Sequence, residues 1–86
     1  MSKTRLCKRI KKILESQKDV EYSAIKQILE EFGYKETQSK GGGSHYVFRK
    51  IRSKPITIPK HKPVKKVYIK DVIKELALEE WYEDEC

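Results

Sequence analysis

A chain of 86 residues with 20 Lys or Arg against 13 Asp or Glu, a net charge of +7 and 37% hydrophobic residues is a single small domain with a heavily charged exterior. At this length it buries only about 60% of the surface its unfolded form exposes, which allows a two-layer core and excludes a deep small-molecule pocket. It is too apolar for a disordered chain, and no apolar run approaches the ~20 residues of a membrane span.

From Thr4 to Ser16 the residues Leu6, Ile10, Ile13 and Leu14 recur at i, i+4, i+7 and i+8, which predicts an amphipathic helix over 4–16 capped by Ser2 or Thr4. Its other face carries Lys8, Arg9, Lys11 and Lys12, and its predicted job is to cover the core. After "SQKDVEY" a second helix is expected with Ser23 as its cap. Ala24, Ile25, Ile28, Leu29 and Phe32 form its buried stripe and Gly33 its left-handed end.

"YKETQSK" then reads as a short strand, "GGG" as a turn, and "SHYVFRKI" as a strand with alternating sides. "KPITIPK" gives a third strand, with Pro55 and Pro59 as punctuation at its ends. Beyond the basic loop "KHKPVKK", Ile69, Val72, Ile73 and Leu76 mark a last helix running to about Glu80, and "WYEDEC" reads as an acidic tail. The expected fold is therefore α+β, a three-stranded antiparallel sheet packed on helices in the order α-α-β-β-β-α. One domain spans 1–80 and the tail spans 81–86. Helices on one side of such a sheet leave its other side open.

Cys7 and Cys86 lack metal-ligand spacing, and no signal-peptide pattern precedes them, so the expectation is a cytoplasmic protein with both thiols reduced and no metal. The charge is unevenly placed. Residues 40–70 hold ten Lys or Arg and no acid, whereas from Asp71 onward seven acids stand against one lysine. Such a basic block points to a polyanion, of which nucleic acid is the commonest.

Alternation puts His45, Val47 and Arg49 on one side of the second strand and Tyr46, Phe48 and Lys50 on the other. If the aromatics are core, His45 and Arg49 face outward. An imidazole beside cations suits RNA cleavage by its own 2′-hydroxyl, a reaction that needs a proton acceptor, a proton donor and stabilisation of phosphate charge, and no metal. Composition alone leaves His45 and His61 open between structural and catalytic roles. The glycines are open between a loose hairpin loop and a seat for a phosphate backbone.

The segment from Tyr22 to Leu76 resembles the HicA family of toxins, small messenger-RNA-cleaving proteins of toxin–antitoxin systems. The shared parts, in order, are a helix ending in "EEFGYKE", a Gly-Ser-His step at Gly43, Ser44 and His45 followed by "YVFRK", then "ITIPKH", and a final amphipathic helix. The resemblance implies a fold similar to a double-stranded-RNA-binding domain (dsRBD-like), endoribonuclease activity centred on His45, and a HicB-type antitoxin that binds and blocks the site. The residues expected to touch RNA are Lys40, Gly43, Ser44, Arg49, Lys60, His61, Lys62, Lys65 and Lys66. No cofactor and no membrane are expected. The alternative is a non-catalytic RNA-binding module of the same fold.

Overall fold

The computed structural model describes residues 2–38, 45–59 and 62–86. Among these, the elements are α1 (Lys3–Glu15), α2 (Tyr22–Glu31), β1 (Lys35–Gln38), β2 (His45–Arg49), β3 (Ile56–Pro59), α3 (Lys66–Glu75) and α4 (Leu78–Glu85). The strands form one antiparallel sheet in the order β1-β2-β3. This is the expected α+β, dsRBD-like arrangement with one helix more.

Ser2 caps α1, its hydroxyl oxygen accepting from the Arg5 N–H at 3.3 Å, and Leu6, Ile10 and Ile13 turn into the core as their spacing requires. The second helix begins earlier than its capping serine suggests. Val64 donates its N–H to the Val20 carbonyl at 2.9 Å, which holds the chain extended as far as Glu21. Glu21 is then the N-cap, without a side-chain bond, and Ser23 lies inside the helix. Gly33 ends the helix as expected, at φ 92°, and the Tyr34 N–H returns to the Leu29 carbonyl at 3.0 Å.

Phe48, Ile56 and Ile58 point from the sheet into a core completed by Ile10, Ile25, Ile28, Leu29, Ile69 and Val72. Phe48 is wholly buried and anchors the middle strand against the helices. That settles the facing of β2, because its odd-numbered residues must then point the other way.

Three expectations are corrected around the C-terminal end. The last helix stops at Glu75, and Ala77 adopts a left-handed conformation with φ 48° before α4 begins. A continuous helix would carry its apolar stripe from Leu76 onto Glu79 and Glu80. The apolar residues are Leu78, Trp81 and Tyr82 instead, out of phase with that stripe, so the chain must bend to bury them. Leu78 is fully buried and Trp81 meets Phe32 edge-on with ring centroids 5.3 Å apart, so "WYEDEC" is helix packed on the core rather than a tail. The cysteines, expected as free thiols, form a disulfide: α1 and α4 pack side by side and bring the Cys7 and Cys86 Cα atoms to 5.9 Å.

Candidate nucleic-acid interface

The ladder register sets out the outward side of the sheet. Lys35 faces Arg49 across β1 and β2, Thr37 faces Val47, Val47 faces Thr57, and His45 faces Pro59. Lys35, Thr37, His45, Arg49 and Thr57 are exposed, and Val47 is half-buried between the two threonines. The Thr37 hydroxyl donates to the Val47 carbonyl at 2.9 Å, adding a side-chain tie between β1 and β2 at the centre of this face. Among the described residues, the result is a polar, cationic, solvent-facing surface that carries the His45 imidazole.

His45 is the first residue of β2, with backbone geometry set by pairing on the β3 side. Arg49 ends the same strand on the same face. Four residues of extended chain separate them by about 13 Å, so the guanidinium and the imidazole stand at opposite ends of the strand. The sequence alone places the two on one side; only the strand geometry shows how far apart they lie.

Of the other expected contact residues, Lys62, Lys65 and Lys66 are exposed. Lys65 is the N-cap of α3 and Lys66 its first residue, so both charges stand at the start of a helix that follows the β3 side of the sheet. Lys40, Gly43, Ser44, Lys60 and His61 lie outside the described residues. Among the described residues, no three His, Cys, Asp or Glu side chains converge as a metal site would need.

On the helix side of the sheet is a polar cluster that periodicity did not reveal. The Tyr22 hydroxyl donates to the Glu36 carboxylate, and the Lys26 ammonium lies 3.5 Å from the same carboxylate. Tyr22 also stacks on Tyr46 with centroids 4.7 Å apart. Burial, then the bond to Glu36, pushes the Tyr22 hydroxyl well above the ordinary tyrosine range. The cluster pins the start of α2 to β1 and to the residue following His45, and so steadies the strand that presents the imidazole. No spacing in the sequence marks it, because Glu36 comes from β1 and meets Tyr22 and Lys26 only when α2 docks on the sheet.

A second tie involves Lys50. Its alkyl chain runs over Gly33, where an added Cβ would lie 3.3 Å from Lys50 Cε, and its ammonium sits 5.6 Å from the centre of the Tyr34 ring. The end of β2 is thereby fastened to the end of α2.

A family model described as the HicA toxin of bacterial toxin–antitoxin systems matches residues 22–78 of the chain. The match takes in α2, the whole sheet and α3, and leaves out α1 and nearly all of α4. No curated protein and no solved structure matches.

Proposed function

Since this chain belongs to the HicA toxin family of bacterial toxin–antitoxin systems, we propose that it is an endoribonuclease that cleaves messenger RNA without a metal or other cofactor, through His45. The observation that carries this reading is the exposed imidazole at the start of β2, on the outward side of a sheet whose other side is core.

In the proposed reaction His45 takes the proton of a ribose 2′-hydroxyl, or gives a proton to the departing 5′-oxygen. The 2′-oxygen attacks phosphorus, the bond to the 5′-oxygen breaks, and the products are a 2′,3′-cyclic phosphate and a 5′-hydroxyl. Gly43 and Ser44, just before His45 in the chain, would bring backbone N–H groups to the phosphate. Lys40, Lys60, His61, Lys62, Lys65 and Lys66 would supply positive charge along the RNA, and Arg49 would hold a phosphate further along the strand.

The same reading gives the protein a HicB-type antitoxin that covers this face, and places it in the cytoplasm with its substrate. No helix among the described residues is long and apolar enough to cross a membrane.

The test is incubation of end-labelled RNA with purified protein in EDTA, with His45→Ala prepared identically. Cleavage by the wild type alone, leaving cyclic or 3′-phosphate ends, is the expected result. If neither protein cuts and both bind RNA with the same salt dependence, the chain is a binding module and His45 is not catalytic.

A further inference from the structure

We infer that the Cys7–Cys86 bridge is a thiol-exchange site, opened by small-molecule dithiols, that fastens the first and last helices over the family core. It joins residues 79 positions apart, one in the second turn of α1 and the other immediately after α4. Both cysteines lie outside the matched span 22–78, so the bridge ties two additions to the core rather than the core itself. This inference does not rest on RNA cleavage.

The two helices depend on the bridge to different degrees along their length. Buried Leu78 and the Trp81–Phe32 contact hold the beginning of α4, and Leu6, Ile10 and Ile13 hold α1. From Glu83 onward every residue is exposed. Among the described residues, that last turn is tied to α1 by the bridge and by a Lys3–Glu85 ion pair at 3.2 Å. Both partners of the pair are about half exposed, where solvent screening leaves little holding strength.

The surroundings suit exchange. Cys86 is exposed, and the seam beside the bridge is lined by Lys3, Thr4, Lys8, Lys11, Tyr82 and Glu85. One thiolate of a dithiol attacks the Cys86 sulfur, the bond between the cysteine sulfurs breaks, and Cys7 leaves as a thiolate. Lys3 and Lys11, one turn before and one turn after Cys7 on α1, stabilise the charge on the departing sulfur. The reagent's second thiolate then attacks its own mixed-disulfide sulfur and releases Cys86. The dithiol leaves as a cyclic disulfide, its two protons pass to Cys7 and Cys86, and two electrons have moved from reagent to protein. A reducing thiol pool therefore keeps the fastener open, and an oxidising one closes it.

Closing a loop of nearly the whole chain restricts the unfolded state more than a short loop would. Opening it should lower the melting temperature by roughly 10 °C or more. In the native state the loosening should fall on α1 and the last turn of α4 while the sheet keeps its protection.

The experiment compares protein oxidised with glutathione disulfide against the same protein treated with dithiothreitol, by intact mass, thermal melting and hydrogen exchange. The expected result is a gain of two hydrogens on reduction, a lower melting temperature, and faster exchange confined to 3–15 and 83–86. Cys86→Ser should melt with the reduced wild type and be indifferent to dithiothreitol. Failure of the bridge to form under glutathione disulfide, its persistence in dithiothreitol, or an opened bridge with unchanged melting and exchange would each overturn the inference. So would faster exchange spread evenly through 22–78.

Discussion

His45 stands directly across the β2–β3 ladder from Pro59, an exposed imidazole opposite a buried ring. Proline has no N–H to give, so the row that carries the histidine is one whose two residues do not exchange a pair of backbone hydrogen bonds. The backbone of His45 is held by the sheet, while its side chain stands on the exposed side.

His45 is exposed and outside the core, so replacing it with Ala should leave the protein folded. Cleavage should fall by about 10²–10⁴-fold, the usual contribution of a positioned acid or base, with RNA affinity little changed. Single-turnover cleavage and melting of the same preparation check this. Full activity in the variant would remove His45 from the chemistry.

Arg49, Lys65 and Lys66 should act on binding through charge. Changing any one of them to Ala should weaken binding to RNA of every sequence alike. If that residue holds a phosphate, the slope of log affinity against log salt should become shallower by about 0.7 for a single strand. Fluorescence anisotropy across a salt series measures it, and an unchanged slope would take that residue off the RNA path.

Gly33→Ala should destabilise the fold by about 1–2 kcal/mol, because φ 92° is hostile to a side chain and Lys50 Cε would lie 3.3 Å from the new Cβ. That corresponds to a fall in melting temperature of roughly 4–8 °C per kcal/mol in a domain of this size. A melt equal to the wild type would mean the helix ends in some other way.

Phe48→Ala should cost about 3–5 kcal/mol, since the ring is fully buried and sits on the middle strand. Urea unfolding should show a midpoint shifted far down, or no folded baseline. A small shift would mean that the core closes around the vacancy.

Tyr22 predicts the alkaline behaviour. Its hydroxyl is raised in the folded state, so the folded form favours the protonated phenol. The stability this contributes is fully present below the unfolded tyrosine value of ~10 and is lost as pH rises beyond it. Tyr22→Phe should cost about 1 kcal/mol at neutral pH, from the lost bond to Glu36. It should also flatten the decline of stability above pH ~10. Melts of both proteins from neutral to alkaline pH would show it, and parallel curves would contradict it.

The local elements were legible in the sequence because their signals are local. The stripe Ile25, Ile28, Leu29 followed by Gly33 declares a helix and its end, and the alternation from His45 to Arg49 declares a strand with two unlike faces. The phase shift from Leu76 to Leu78, Trp81 and Tyr82 is also present in the sequence, as a break between two helical stripes. What one strand cannot say is which of its faces is covered, since that depends on what packs against it. Burial of Phe48 under the helices decided that His45 and Arg49 face solvent. The Tyr22–Glu36 bond spans 14 residues and the Cys7–Cys86 bridge spans 79. Neither has a periodic signature, because partners so far apart in the chain meet only after the helices have docked on the sheet and on each other.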